Sequence, residues 1–566
     1  MTVWAEEAWA AEPILPIPAG VSFPGAGPGA FDPRMGGALV WAAEIEAALD
    51  GGTLAQGGPA YADDAWAAEP PVFVPAGGAD TIRVSDLGWR GPAPYPPLLL
   101  GGPDIERRVA LAPDQGDTYA WGSLRLAPLD IVPGITLAGR DTAMRRVRIR
   151  VGMRGYDAAR GIFTDPAPAN MLDVFLGVGL TWRARDDGAE LPLRDPSAWL
   201  DAPIGIRRFL GTGGAEGPAS LAGKPFPIVR GGTVSFPVRA CPVTLVEAAS
   251  RRYRWTDGPC TLVQLYEDGA AVYTYAGDLP GLGPSPGAGA YYSDNATGEL
   301  RLGSDPAGTI TVDGVGSAAP LAGTVLRDLL MVSAGLPAGL LDEGSVLGTA
   351  GSVPFIGGWA WTGAETARDA IRPLLAALGA RLVTSRSGGL RLWPLRALTA
   401  TSTAVAAFDV SSAVAVTPIP LDAPLMPPAA VWTVGYQRTH AISSTLKAIV
   451  TPAERERQLQ PWRSAAWADA ANLTRYAQAS RPALVETALL QAADAQALAN
   501  ALGALWGVPR SLWQVTLPAG TALLRDIGDV VRLTWPADGL RNGALGQVVG
   551  ESLRASDGTA SLLVLV

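Results

Sequence analysis

From about residue 80 to 315, hydrophobic and polar residues alternate in short runs closed by Gly, Pro, Asn or Asp. In Arg146-Val147-Arg148-Ile149-Arg150-Val151 the arginines and aliphatics take opposite faces, and Thr261 to Tyr266 runs into the turn Glu267-Asp268-Gly269. A period of two is the mark of extended backbone, whose successive side chains point to opposite sides. Repeated at short spacing, it predicts barrels or sandwiches with long loops. Near 320 the period lengthens. Val325, Leu326, Leu329 and Leu330 share one helical face, and Thr362-Gly363-Ala364-Glu365 reads as a capping box opening a second helix. That helix carries Ala367, Ala370, Ile371, Leu374, Leu375 and Leu378 inward and stops at Gly379, with Pro373 expected to kink it. Arg381 to Thr384 and Leu390 to Trp393, joined by Ser387-Gly388-Gly389, predict a hairpin packed on these helices. Leu39 to Leu49 has spacing suited to a short helix. Residues 464–506 predict a helical stretch broken at Pro482, with Leu484, Val485, Ala488, Leu489, Leu498, Leu502 and Leu505 at helical intervals. Four terminal strands follow, Trp513 to Leu517, Gly528 to Trp535, Gly546 to Leu553 and Ala560 to Val566, with turns at Asn542-Gly543 and Asp557-Gly558.

These patterns predict a multidomain, mainly β chain of barrel- or sandwich-like domains. It carries an inserted small α+β domain and a C-terminal helical stretch followed by a β domain. The expected divisions are an N-terminal extension at 1–80, β-rich domains at 81–318, the α+β domain at 319–396, a β segment at 397–460, the helical stretch at 461–507 and a terminal β domain at 508–566. The extension holds an internal echo. Trp4-Ala5-Glu6-Glu7-Ala8-Trp9-Ala10-Ala11-Glu12-Pro13 returns as Tyr61-Ala62-Asp63-Asp64-Ala65-Trp66-Ala67-Ala68-Glu69-Pro70. Two copies are too few for a solenoid, so they read as paired strands of one sheet or as two equivalent docking segments.

A length of 566 residues allows about three to five domains. Lys and Arg total 44 against 53 Asp and Glu, a net charge of −9, which argues against a protein that coats nucleic acid or anionic lipid. Lys224 and Lys447 are the only lysines, leaving 44 − 2 = 42 arginines, a bias that reads as coding composition rather than chemistry. Gly and Pro together make 68 + 49 = 117 residues, below the share at which disorder is expected, and 48% hydrophobic residues predict a folded chain. Only 17% of residues are charged, which favours an assembly component whose surface is covered by partners. Two uncharged stretches, 13–31 and 344–364, are long enough to span a membrane, but five prolines in the first and six glycines with Pro354 in the second exclude a continuous helix. Met1 to Glu7 lacks a basic, apolar signal, so the chain is expected to be made and kept in the cytosol unless particle release carries it out.

Candidate chemistry is sparse. Cys241 and Cys260 are the only cysteines and are expected as two reduced thiols, although they could pair in space. With His440 the only histidine, thiolate or imidazole metal sites lack ligands. Gly283-Pro284-Ser285-Pro286-Gly287 has the letters of a nucleophile elbow, but Pro286 has no N–H to give an oxyanion. Gly223-Lys224 is followed by Pro225 where a phosphate loop needs Ser or Thr, and Gly211-Thr212-Gly213-Gly214 lacks dinucleotide-loop spacing. His440 reads as a packed or solvated side chain rather than a general base. Asp186-Asp187 and Asp342-Glu343 read as solvated turns, and the 18 tryptophans as core anchors rather than a sugar cleft. No catalytic, cofactor-binding or metal residue is assigned, no cofactor is expected, and the chain is not expected to be an enzyme.

Several segments together resemble the multidomain tail proteins that form the central hub or tip of long-tailed bacteriophages and of phage-like gene transfer particles. Ile82 to Trp89 with Pro94-Tyr95-Pro96-Pro97 is similar to that family's opening strand and proline turn. Gly211 to Gly217 followed by Leu221 to Gly231 is the most specific match. Tyr253 to Pro259, Gly298 to Leu302 and Pro306 to Gly314 extend it, and Asp526 to Leu533 resembles the family's C-terminal half. Coverage is roughly 80 to 566, leaving the duplicated extension unplaced.

The resemblance implies a structural component of a tail tip or baseplate, a homotrimeric hub whose β-barrel-like domains form a ring that continues or closes the tail tube and helps guide DNA ejection. Its implied partners are distal tail or tube proteins, the tape measure, and fibre or tip proteins. DNA would pass through the lumen without specific binding, an acidic surface suiting free sliding, and contact with the host envelope would be transient. The implied location is the virion tail tip of a siphophage-like particle, assembled in the host cytoplasm. Two alternatives stay open at this stage: a tail-associated cell-wall hydrolase with two converging carboxylates, and a receptor-binding tip protein with an exposed aromatic pocket.

Overall fold

The computed structural model describes residues 39–49, 79–90, 93–112, 116–128, 140–143, 145–157, 162–337, 339–399, 401–422, 425–443, 445–476, 478–554 and 558–566. The duplicated segments at 4–13 and 61–70 lie outside the described residues. The architecture is mainly β, as the alternating pattern predicts.

A nine-stranded sheet follows the path Ala79–Ser85, Leu39–Leu49, Arg146–Met153, Leu172–Gly179, Gly188–Arg194, Ser123–Leu126 and Leu99–Gly101, with two short strands beside it. Leu39–Leu49 is therefore a strand, not the helix its spacing suggests. Both neighbours pair with it, Ala43 lying opposite Ile149 on one side and Val84 on the other. Trp41, Ala43, Ile45 and Ala47 enter one core, while Val40 and Ala42 pack on Trp89, Tyr95 and Met171 across the sheet. Burial on both faces removes the polar alternation that would have marked a strand. On the face of Val40 and Ala42, Glu44 accepts from Arg150 at 2.8 Å and from the Tyr95 hydroxyl.

The four predicted terminal strands form as expected, as Leu512–Pro518, Val530–Leu533, Ala544–Arg554 and Thr559–Leu565. They belong to an eight-stranded sheet that also recruits Ala406–Phe408, Ala415–Ile419, Thr118–Ala120 and Ile105–Arg108. Ile105–Arg108 pairs with Ala544–Arg554 in the register Ile105 to Leu553 and Arg108 to Gly550. One hydrophobic core joins the two sheets, with Ile45, Ile149 and Phe175 packed in the same cluster as Val515, Val531 and Val564.

The junction is fastened by charge. Arg107, wholly buried, donates from Nε to Glu551 at 2.7 Å, from Nη2 to Asp526 at 2.7 Å and from Nη1 to the Thr384 carbonyl at 2.8 Å. Arg386 also donates to Glu551 and to the Leu523 carbonyl. Burial would raise the Glu551 carboxyl, but the guanidiniums of Arg107 and Arg386 outweigh it and hold the group at about 2.

The helical unit begins with Ala322–Asp328, which continues as a π-turn over Leu329–Ser333 and buries Val325, Leu326, Leu329 and Leu330 as predicted. The next predicted helix is Ala367–Leu378, ended by Gly379 at φ +52°. Its cap lies one turn later than the sequence suggests: Thr366 Oγ1, not Thr362, accepts from the N–H three residues on, Asp369, at 3.2 Å. The tetrad Thr362 to Glu365 closes a separate turn, with the Thr362 N–H donating to Glu365 at 3.1 Å. The expected hairpin forms as Ala380–Thr384 with Leu390–Pro394.

The helical stretch at 461–507 is reduced to Ala470–Arg475 and Ala492–Trp506. Arg463–Ala468 is a strand paired with Val431–Tyr436, whose other edge takes Val485–Glu486 in parallel. Helix propensity in this alanine-rich window is overridden by tertiary hydrogen bonds. The Thr487 hydroxyl donates to the Gly435 carbonyl at 2.6 Å, and the Ala488 N–H to the Pro373 carbonyl at 2.9 Å. The uncharged stretch 344–364 holds the helix Glu343–Ser352 and the strand Gly358–Trp361, and among the described residues no helix is long and apolar enough to cross a membrane.

Glu551→Gln removes the charge that compensates two buried guanidiniums and should destabilise the fold by about 3–5 kcal/mol at pH 7. The native carboxyl ionises more readily than an unfolded one, so its contribution is complete above about 4.5 and is lost as pH falls toward about 2. Urea unfolding of both proteins across that window should show their stabilities converging at the acid end.

Candidate functional site

The chain at 207–231, which contains the most specific match at 211–217 and 221–231, folds as a loop bonded to itself. Phe209 N–H donates to the Lys224 carbonyl at 2.9 Å, Gly223 to Phe209 at 2.8 Å, and Phe226 to Arg207 at 3.0 Å. Inside that frame Gly211 donates to the Glu216 carbonyl at 3.0 Å and Gly213 to Gly217 at 2.7 Å. Gly211, Gly213, Gly214 and Gly217 all have left-handed φ, from +58° to +97°, which is why glycine recurs here. Phe209 and Phe226 stack with ring centroids 4.4 Å apart, and the Arg254 guanidinium lies 4.2 Å over Phe226. The far end is locked by Arg230, buried, which donates to both Asp257 oxygens at 2.6 and 2.9 Å, to Asp328 at 2.8 Å and to Ser333 at 2.9 Å. Leu210 stands 57% exposed on this loop, and beside its base Ile206 and the 61% exposed Val332 border a hollow of about 240 Å³.

A second feature is a cleft of about 850 Å³ between the strand Gly358–Trp361 and the chain from Ser480 to Glu486. The two walls begin as paired strands: Gly358 N–H donates to Ala488 at 2.9 Å and Leu490 N–H to Ile356 at 3.0 Å. They then part, and the Ala360 N–H is met by His440 Nε2 at 3.4 Å. The Arg438 guanidinium lies 4.7 Å from the Trp359 ring centre and 5.3 Å from that of Trp462, with no hydrogen-bond acceptor among the described residues. Trp432, on the cleft wall, has a buried Nε1 without an acceptor. Trp359, Trp361 and Trp432 are all buried, so the cleft offers no open aromatic platform of the kind a glycan stacks on.

His440 sits edge-on to Trp359, 4.9 Å between centroids. Burial, and then the neighbouring Arg438 charge, push its imidazole down to about 3. It is therefore a neutral acceptor at pH 7, packed rather than solvated, where the sequence left both open.

The other candidates are scattered. Ser285 is exposed and donates to the Pro286 carbonyl at 3.3 Å. Lys224 is exposed, and its carbonyl, not its amine, serves the loop. Asp186 and Asp187 are exposed, and Asp187 pairs with Arg125 at 2.7 Å. Asp342 caps the helix Glu343–Ser352 by accepting from Ser345 N–H at 3.1 Å, while Glu343 pairs with Arg327 at 2.5 Å. Cys241 and Cys260 are free thiols facing the carbonyls of Val238 and Asn295, and burial pushes both up, Cys260 to about 12. Among the described residues no group of three or more His, Cys, Asp and Glu could hold a metal ion. The cleft itself escapes a sequence reading, because Trp359, Trp432 and Arg438 come from separate elements and carry no shared spacing.

Two outcomes follow from this geometry. With one histidine in the chain, the imidazole NMR signal should titrate near 3 rather than at the ordinary 6.5. Between those values the unfolded chain binds a proton that the folded chain refuses, so stability rises as pH climbs from about 3 to 6.5, and His440→Gln should flatten that part of the slope. Gly211→Ala would set a Cβ 2.6 Å from that of Ala222 at φ +74°, at a local cost of about 1–3 kcal/mol. Hydrogen exchange should then speed up at the Phe209 and Gly223 amides while the two sheets keep their protection.

No protein-family model matches the chain, and no curated protein does. Solved structures do show likeness at low identity. A chain of the virion of a native gene transfer agent particle is 15% identical with a TM-score of 0.38, over 61% of this chain and 84% of that one. The tail protein of Neisseria meningitidis MC58 is 12% identical with a TM-score of 0.31, over 82% and 97%. The 43 kDa tail protein of prophage MuSo2 from Shewanella oneidensis is 10% identical with a TM-score of 0.32, over 84% and 96%.

Proposed function

We propose that this chain is a structural component of a phage-like tail, and that it forms a homotrimeric hub at the tail tip which continues or closes the tube and helps guide DNA. The observation that supports this reading most directly is the glycine loop. The segment most specific to the resemblance is built for shape: left-handed glycines and backbone hydrogen bonds define it, and Arg230 anchors it to the helical unit. Such a loop suits a contact surface, where position matters more than reactivity. The exposed aliphatics on and beside it, Leu210, Ile206 and Val332, are side chains that a neighbouring copy would cover. In this reading distal tail or tube proteins, the tape measure and fibre or tip proteins are the further neighbours, and the net charge of −9 lets DNA pass without sticking.

Sedimentation of the purified chain should give three times 58.4 kDa, about 175 kDa, and Leu210→Glu with Val332→Glu should shift it toward the monomer. A wild-type chain that stays monomeric at every concentration would remove the trimer. Gold-labelled antibody on intact particles should mark the distal end of the tail. Label along the tube or on the capsid would overturn the hub.

A further inference from the structure

The repeated segment Trp4 to Pro13 and Tyr61 to Pro70 has no place in the reading above. Each copy sets aromatic residues at its first and sixth positions around an acidic pair, Glu6-Glu7 or Asp63-Asp64, ends in Glu-Pro, and contains no cation. Its side chains thus offer hydrogen-bond acceptors and apolar rings.

The cleft beside Gly358–Trp361 has the complementary deficit. The Arg438 guanidinium carries five N–H donors without an acceptor, Trp432 Nε1 is buried without one, and the Ala360 N–H has only the long contact to a neutral imidazole among the described residues. An acceptor-bearing occupant would give the Arg438 guanidinium the partner it lacks among the described residues. The Arg438 guanidinium packs against both Trp359 and Trp462, whose ring centroids are 5.7 Å apart, so a carboxylate meets a fork that is already ordered. Arg481 stands exposed on the rim with no ion-pair partner among the described residues. Of the carboxylates lining the cleft, Glu365 is engaged by Thr362 and Asp369 by Thr366 and Arg372, leaving exposed Glu486 as the remaining one. The walls meet where the Gly358 N–H donates to the Ala488 carbonyl and part beyond it, leaving a cleft of about 850 Å³.

We propose that this cleft receives the chain's own segment Trp4 to Pro13, with a carboxylate of the Glu6-Glu7 pair on Arg438. Residues 14–38 separate that segment from the first described strand and can span roughly 80 Å, enough to reach a cleft on the same or a neighbouring copy. The other copy, Tyr61 to Pro70, falls in the sequence between two strands whose Ala48 and Ala79 are paired.

The test is a fluorescein-labelled Trp4–Pro13 peptide titrated with the full chain in which Glu6, Glu7, Glu12, Asp63, Asp64 and Glu69 are changed to Gln, so that its own copies do not compete. We expect saturable binding, weakened at least tenfold by adding Arg438→Gln or Arg481→Glu, and at least tenfold weaker for a peptide with Gln at all three acidic positions. Arg481→Glu alters an exposed side chain, and matching circular dichroism separates lost binding from lost folding. Absence of saturable binding, equal binding of the Gln peptide, or undiminished binding to both variants overturns the proposal. So does displacement by inorganic phosphate or a single-stranded oligonucleotide where unlabelled peptide has no effect, which would make the cleft a phosphate site.

Discussion

Arg107 is the side chain on which the β body turns. Moving a guanidinium out of water carries a penalty of several kcal/mol, and it is offset only where geometry meets each donor. Here Glu551, Asp526 and the Thr384 carbonyl do so from three different stretches of chain. With those bonds made, Ile105–Arg108 is held in register on Ala544–Arg554, and the hairpin at 380–394 is held against both. The Trp121 ring lies 5.8 Å from the same guanidinium and 5.0 Å from the ring of Phe175 in the nine-stranded sheet. Slippage by one residue would turn Arg107 to the opposite face and leave Glu551 buried beside Arg386 alone.

The same device recurs wherever loops end. A chain this rich in glycine and proline leaves many carbonyls outside regular ladders, and arginine forks collect them. Arg381 donates to the carbonyls of Ala110 and Ala112 at 3.0 and 2.6 Å, and Arg396 to those of Leu378 and Gly379 at 2.6 and 2.9 Å. A lysine, a single point of charge, could not span such pairs. The arginine bias that reads as coding composition in the sequence therefore has structural uses, whatever its origin.

What could be read from the sequence follows from how local each signal is. Arg146 to Val151 and the terminal strands Leu512–Pro518, Val530–Leu533 and Thr559–Leu565 each keep one more polar face, and the helix at 367–378 shows its apolar stripe and its terminal glycine within a few residues. Leu39–Leu49 fails for the opposite reason, being covered on both faces, and Leu484 to Leu490 is held extended by partners at Gly435, Pro373 and Gly358 that no window contains. The two Thr-led tetrads at 362 and 366 carry the same capping chemistry, so composition could not say which one the helix uses. The cleft is less legible still. Arg438 matters because Trp359 and Trp462 flank it, and that arrangement exists only after the sheets are built.

The pairing of Ile105–Arg108 with Ala544–Arg554 also sets a clock. Arg107 and Glu551 are 444 residues apart, so at about 5–20 residues per second a ribosome delivers the second roughly 20–90 s after the first. During that interval the inner face at Ile45, Ile149 and Phe175 waits for Val515, Val531 and Val564, the residues that complete its core. Contacts this distant along the chain make folding slow and place its last step after synthesis of the final strands. A chain cut short would present an open apolar sheet to chaperones and proteases instead of finished surfaces to its neighbours, so whatever it builds is assembled from complete copies.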